Sequence, residues 1–553
     1  LNAGRHAPTA AILFSIVFLS AQAWLCVRPA MQTDADTAYL GFPYLPTDHY
    51  AYMMYTAQTA KAGDILVDNQ FTTSPQDGRF LMIGLAAAGA IQRLVPLPDP
   101  VVWHALRLIA LAIFCLVLWK ICVLIFDRRW KASAAFAFVL FSGGVDWIAR
   151  LVGRDWFTST GKPWANFLDN PWNFSVFFAS TNMVWAVPMT IVAAAVLFEI
   201  KAARALAATS DVGTGSVASG RKTLYIRGLS RGLVFAVLWF IHPYTAIVWG
   251  AMVVVSAVVP QKGLSVGASI LTTIPAAIGP ALVGAFIMWS QQDPVVAASN
   301  AQTGLWKLSY PVFLYPIVYG PWLLLPLALV GRNRPIDGTA TRWLLIWLGA
   351  GLVMTINPFI TGAKFQVAMA MPLALLEVAG LFALTDYLAS KLAAGARTIP
   401  IVATVIAIAS ANSIAVVAAD FVTPAARNAT TTPTGHLRQL ETLADLPDGG
   451  VLCDPYEGML VPWKAGKHVF VGQWFLSTRH AEKAELVRWF FSGKGTPEQL
   501  AGFLDAANVR WVLYGPRERE SGLMPTINGL TLRTGNADRQ IWEWKAPGKE
   551  RRM

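Results

Sequence analysis

Charged side chains are scarce in this chain. Only 14% of its 553 residues are Asp, Glu, Lys or Arg, against about 25% in ordinary soluble domains. That shortage, with 55% hydrophobic residues, excludes a typical water-soluble globule. Cysteine is also sparse, with four residues in all. Cys26, Cys115 and Cys122 lie in apolar segments, and Cys453 stands alone in the polar tail, so the tail has no partner for an internal disulfide. No C-x-x-C pair offers a metal or redox centre. No internal repeat is visible. No small-residue cleavage site follows the first apolar run, which opens after Arg5 and His6, so the run reads as an uncleaved first helix.

What is present in quantity is apolar sequence. Runs of about 18 or more residues, each able to cross a hydrocarbon core of roughly 30 Å, fill the first three quarters. Candidate spans are 9–27, 101–126, 132–151, 174–200, 228–241, 243–260, 264–289, 309–330, 343–358, 364–388 and 399–420. The expected fold is therefore mostly α, a polytopic bundle of about eleven membrane helices. The 22 tryptophans suit interfacial anchoring as well as core packing. The net charge of +12 does not point to nucleic acid, because the basic residues cluster between apolar segments, as in cytoplasmic loops.

Loop charge sets the expected orientation. With a cytoplasmic N-terminus, the inside segments are 127–131, 201–231, 261–263, 332–342 and 391–397, and all are basic. The outside segments hold Asp34, Asp36, Asp48, Asp64, Asp68, Asp77, Asp155, Asp169 and Asp293. Two choices preserve this asymmetry. Residues 80–95, short and carrying Gln92 and Arg93, lie on the outer interface and do not cross. Residues 228–260 form a hairpin of two short helices broken at His242-Pro243-Tyr244, since proline disfavours helical geometry in the residue before it and removes a backbone donor. The stretch 211–220, rich in Gly and Ser, reads as a flexible linker inside a basic cytoplasmic loop.

An odd number of crossings puts the tail outside. From about 430 the sequence turns polar, with short strands at 469–471 and 509–514. Helical patterns cover about 480–491 and 496–507, the second opened by Thr496-Pro497-Glu498 as cap, first-turn proline and acid. Alternating strands and helices imply a small α/β domain. The expected division is a membrane module over 1–425, including a first outer loop at 28–100, and an extracytoplasmic domain over 430–553.

The first outer loop carries the sharpest candidate. Asp48 precedes Tyr50-Ala51-Tyr52, which begins a helix running to Ala62 and ending at Gly63, a plausible left-handed cap. A carboxylate there meets the positive end of the helix dipole. Thr47 and Asp48 are also good capping residues, so capping alone accounts for the acid equally well.

The pattern Asp48-x-Tyr50-x-Tyr52, then Gly63, Phe71-Thr72-Thr73 and Gly78-Arg79-Phe80, resembles the first outer loop of GT-C glycosyltransferases. These polytopic enzymes take sugars from polyprenyl-phosphate carriers. Bacterial members with a C-terminal extracytoplasmic domain are also resembled by Trp103-His104-x-x-Arg107, by Ser142-Gly143-Gly144-Val145-Asp146-Trp147 and by His242-Pro243-Tyr244. In the tail the matching pieces are Val451-Leu452-Cys453-Asp454-Pro455, Gly472-Gln473, Thr478 and the run from Tyr514 through Arg519. Each piece is weak, and the ensemble covers most of the chain. Residues 179–188 and Gln473 each lack a histidine that related sequences lead one to expect.

The resemblance implies an inverting transfer at the outer face of a bacterial inner membrane, with Asp48 as general base. Asp36, with Asp34 in an Asp-x-Asp pair, competes for that role. Tyr50 and Tyr52 would flank the substrate. The carrier's phosphate needs cations, and Arg79, Arg107, Arg150, Arg154, Lys307 and Lys364 are candidates. Arg107 stands out as a charge inside an apolar helix. His104 and His242 are weaker candidates, since a lone histidine in an apolar helix is more often hydrogen-bonded structure. Some family members use a divalent metal, and Asp34, Asp36, Asp48 and Asp155 could supply oxygens. Their spacing is not diagnostic, so no metal and no other cofactor is predicted. Expected partners are a polyprenyl-phosphate-linked sugar, an acceptor that is saccharide, lipid or protein, and the membrane lipids. A transporter or flippase of lipid-linked saccharides, with ionisable residues near mid-membrane or inverted repeats, is the competing reading. A non-catalytic membrane scaffold is the third.

Overall fold

The computed structural model describes residues 7–31, 33, 35–43, 46–144, 175–212, 217–259, 265–304, 319–330, 338–357, 362–392, 398–422 and 431–546. Among these, eight helices are long and apolar enough to cross a membrane, and Ile83–Leu94 and Pro243–Val258 are shorter apolar helices. The chain is an integral membrane protein, mostly helical, with a small C-terminal sheet. It divides into two compact units. One contains Leu1–Leu25, His104–Ala285 and Lys307–Pro424, and the other Cys26–Trp103, Phe286–Trp306 and Ala425–Met553. The first outer loop thus groups with the C-terminal residues and not with the bundle.

The first unit is the bundle. Its helices form where apolar runs leave backbone groups no partner but each other, the only open-chain solution in lipid. The hairpin at His242 follows from its proline. Val217–Ile241 stops one residue before His242, whose side chain then accepts from Thr245 N and caps Pro243–Val258. The linker expected at 211–220 is largely helical instead. Met183–Val212 and Val217–Ile241 leave only residues 213–216 between them. The Ala, Arg, Lys and Leu residues on either side are good helix formers and outweigh the few glycines and serines. Of the candidate span 132–151, the helix Arg129–Phe141 is described, and 145–151 lie outside the described residues. Of 309–330, the described part includes a 3₁₀ helix, Pro321–Leu329, where Pro326 inside it opposes α geometry.

Two features inside this unit are set by glycine. A Cβ on Gly228 would lie 2.3 Å from the Thr272 carbonyl oxygen, one on Gly232 2.6 Å from that of Ala276, and one on Gly279 2.0 Å from that of Gly232. Gly228-x-x-x-Gly232 therefore forms a bare seam where two backbones touch, the membrane use of small residues. A Cβ on Gly380 would likewise lie 2.0 Å from the Leu325 carbonyl oxygen.

The second unit centres on a four-stranded sheet. Gly450–Leu452 runs parallel to Val509–Tyr514, which pairs antiparallel with Gln540–Trp544, itself antiparallel to Leu530–Gly535. The helices His480–Phe491 and Pro497–Ala506 supply Val487, Phe490, Phe491, Leu500 and Leu504 to its core. Thr496 and Gln499 close a full capping box on the second helix. Residues 469–471, expected as a strand, make only a single bridge from Val469 to Val451.

The first loop is sewn into this unit by hydrogen bonds. Thr73 Oγ1 donates to Ala507 O (2.6 Å), Ser477 Oγ to Phe71 O (3.0 Å) and Val469 N to Gln70 O (2.8 Å). Thr37–Tyr39 pairs antiparallel with Thr431–Pro433. The loop gains its order from partners more than 350 residues away in sequence, which no local pattern reveals.

Candidate functional site

The candidate residues fall into two groups, one in each unit. Asp36, Asp48, Tyr50, Tyr52 and Arg79 belong to the second, and His104, Arg107, His242 and Lys364 to the first. Asp34, Arg150, Arg154, Asp155 and Lys307 lie outside the described residues.

Asp48 sits in the first turn of Pro46–Ala62 and is half-buried. The helix ends at Gly63, whose φ of +86° and N–H to Thr59 O (2.8 Å) make the expected left-handed cap. The residues beside Asp48 are fixed by aromatic packing. His49 stacks on Phe42 with ring centroids 4.3 Å apart and meets Trp103 edge-on at 5.8 Å. Tyr52 stacks on Trp103 at 5.6 Å, and Tyr50 on Trp463 at 6.2 Å. Trp463 in turn donates its indole N–H to Asp99 and lies under Lys464 Nζ at 3.6 Å. Burial, and secondarily the neighbouring Tyr456, raises the Tyr50 hydroxyl far above the ordinary phenol range, so it stays protonated. An acid on the first turn of a helix whose following residues are locked by aromatic packing is held in a fixed place, as positioning of a small polar substrate requires.

The other candidates of this unit are less suited. Asp36 is exposed and precedes the short strand, its carbonyl accepting from Thr434 N at 2.9 Å. Arg79 donates to Asp77 (2.9 Å), Trp289 O (2.8 Å) and Gln292 (3.1 Å), and its guanidinium lies over the Trp289 ring. Those contacts bind it to the 286–306 segment.

In the bundle, Arg107 is fully buried. It donates to Gln22 Oε1 (2.9 Å), Gln22 O (2.9 Å), Ser180 O (2.7 Å) and His104 Nδ1 (3.2 Å). Gln22 continues the chain by donating to Phe177 O at 2.8 Å. Arg107 therefore ties three segments together through acceptors the membrane could not otherwise satisfy. His104 completes that knot. His242 caps its helix, packs 4.1 Å from Trp185 and 5.5 Å from Tyr244, and feels the charge of Lys364. Lys364 lies half-buried on the short turn Gly362–Phe365, whose Phe365 meets Tyr244 edge-on. The structure thus brings His104 to Arg107 and His242 to Lys364.

Sequence reasoning missed several participants. Trp463 and Phe42 complete the aromatic packing of Tyr50 and His49 beside Asp48, and no recognisable motif links them to it. Glu199, held by Arg227 and Arg231, and Glu377 are buried acids within apolar helices. Their signal in the sequence is a carboxylate inside a candidate span. Among the described residues, no group of three or more His, Cys, Asp and Glu is arranged to hold a metal ion.

Comparison with known proteins gives structural likeness only. No family model matches the sequence, and no curated protein matches it. The chain is similar to ArnT from Cupriavidus metallidurans in the apo state, at 12% identity and TM-score 0.49, over 95% of this chain and 97% of that one. It is also similar to the Archaeoglobus fulgidus oligosaccharyltransferase tethered with an acceptor peptide, at 13% identity and TM-score 0.46, over 91% of this chain and 69% of that one. AglB from the same organism, in complex with an inhibitory peptide and a dolichol-phosphate, gives the same four values.

Proposed function

We propose that the chain is a GT-C type glycosyltransferase of a bacterial inner membrane. It moves a sugar from a polyprenyl-phosphate carrier to a saccharide, lipid or protein acceptor at the outer face, with inversion and with Asp48 as general base. The N-terminus is cytoplasmic and the C-terminal region extracytoplasmic. The observation that carries the reading is the setting of Asp48: half-buried, on the first turn of a helix, with stacked aromatic residues at the next positions. Asp36 lacks that setting and is the second choice. Lys364, half-buried on the short turn Gly362–Phe365 near His242, is the cation proposed to meet the carrier phosphate.

The test is transfer from radiolabelled polyprenyl-phosphate sugars by the purified full-length chain. Asp48→Asn lowers the rate about 10²- to 10⁴-fold without lowering the melting temperature. Full activity in that variant removes Asp48 as the base and leaves Asp36. Full activity in Asp36→Asn as well, or no transfer from any such donor by the unaltered chain, overturns the reading.

One observation favours transport of lipid-linked saccharides instead. Glu377 lies close to the middle of Gln366–Leu392, is buried, and its Oε1 has no hydrogen-bond partner. An ionisable residue so placed is what the competing transport reading requires. Saccharide flux across proteoliposomes, abolished by Glu377→Gln while sugar transfer persists, would establish the transport reading.

A further inference from the structure

A groove of about 680 Å³ runs along the bundle between Ala7–Ala30, Arg129–Phe141 and Thr398–Val422. Its size matches that of small-molecule sites. Its lining is almost wholly apolar, with Leu13, Phe14, Val17, Ala137, Ile406 and Ile414 among its walls. The two hydroxyls in it are Ser133 and Ser410, and Ser133 already donates to Arg129 O at 3.1 Å. Only hydrocarbon fits such walls without stranding a polar group.

The three helices run in the same direction. Phe141 packs on Phe14 and Phe18 at 6.5 and 5.9 Å, and its carbonyl accepts from Ser413 Oγ at 2.9 Å. Residues 14–18, 141 and 413 are therefore level, and the first turns of all three helices lie at the other end, where Ala10, Trp130 and Ile399 line the groove. That end gathers three helix N-termini, which favour negative charge. It also carries Arg128 and Arg129, both exposed. Arg128 has Asp127 at 3.9 Å, itself exposed. Lys131 is committed elsewhere, to Asp386 at 2.9 Å and to the Phe382 ring.

We infer that this groove binds an anionic phospholipid, with an acyl chain along the groove and the phosphate at Arg128 and Arg129. The apolar trough and the positive charge at one end match the two parts of such a lipid. The site is independent of the proposed sugar chemistry, and in the proposed orientation it opens to the cytoplasmic leaflet.

The test uses the full-length chain in nanodiscs of phosphatidylcholine doped with a photoreactive-acyl probe, either phosphatidylglycerol or phosphatidylcholine. Crosslinked peptides are mapped by mass spectrometry. The phosphatidylglycerol probe labels 10–17, 130–141 and 399–414, and the phosphatidylcholine probe does so several-fold less. Arg128→Gln with Arg129→Gln, both on the surface, lowers phosphatidylglycerol labelling toward that level, by roughly fivefold per arginine. Ala137→Phe with Ala403→Phe fills the groove and removes the label from both probes. Equal labelling by the two headgroups overturns the inference, as does labelling confined to other faces. A disulfide between copies of an Ala407→Cys variant that excludes the probe overturns it in favour of a second copy as occupant.

Discussion

Two carboxylates in this molecule solve the same problem under different conditions. In the bundle, Glu199 is gripped by Arg231 Nε at 2.7 Å and Arg227 Nε at 2.7 Å, and all three side chains are buried. In the C-terminal unit, Glu457 is held by His436 Nδ1 at 2.7 Å, Arg539 at 3.3 Å and Arg517 at 3.8 Å, but Arg517 is 43% exposed. Burial pushes the Glu457 carboxyl up, and the hydrogen bond and charge of His436, with Arg539, outweigh it and hold it at about 2. Water reaches the second network and not the first. A cluster without solvent must be complete or fail, because a buried unpaired ion has nothing to replace its partner. A cluster with solvent at its rim loosens gradually as it titrates.

That contrast can be broken most sharply at Glu199. Glu199→Ala leaves two arginines buried and uncompensated, and should cost about 3–5 kcal/mol of stability in detergent unfolding. Replacing Glu199, Arg227 and Arg231 together by Met removes the charges as a set, and should be far milder than the single change. Next in size is Arg107→Met, which takes the arginine donor from Gln22 Oε1 and from the Ser180 carbonyl. About 1–3 kcal/mol is expected for each acceptor left unsatisfied, read as a lower melting temperature whatever the donor. The tail network gives a pH signature. Because the folded Glu457 carboxyl sits below its ordinary value of 4.5, its stabilisation is present above about pH 4.5 and is lost as pH falls toward about 2. An acid titration of melting temperature shows this, and Glu457→Gln flattens it. The smallest effect is Thr496→Ala, which removes a cap from Pro497–Ala506 for about 1 kcal/mol and should leave the bundle's melting unchanged.

The legible parts of the chain were those written locally. The break at His242-Pro243, the cap at Thr496, the turn at Gly63 and a short apolar helix within residues 80–95 (Ile83–Leu94) all follow from proline, hydroxyl, glycine and apolar spacing within a few residues. The bundle itself was visible as apolar run lengths. What stayed hidden depends on distant partners. Arg107 reads in sequence as a charge inside an apolar helix and a candidate for the carrier's phosphate, and only folding brings Gln22 and Ser180 to it. The aromatic packing of Tyr50 beside Asp48 needs Trp463, more than 400 residues away. The stretch 211–220 is linker-like in composition but helical at both ends, because the helix formers flanking it outweigh its glycines and serines.

The glycine seam has a mechanical consequence. Val266–Ser290 is 25 residues long, about 37 Å as a helix, against a hydrocarbon thickness of roughly 30 Å. Val217–Ile241, zipped to it at Gly228 and Gly232, is also 25 residues long, about 37 Å. Both staves are longer than the hydrocarbon is thick, and with their backbones touching they cannot lean independently. Any change in membrane thickness should therefore move both as one lever.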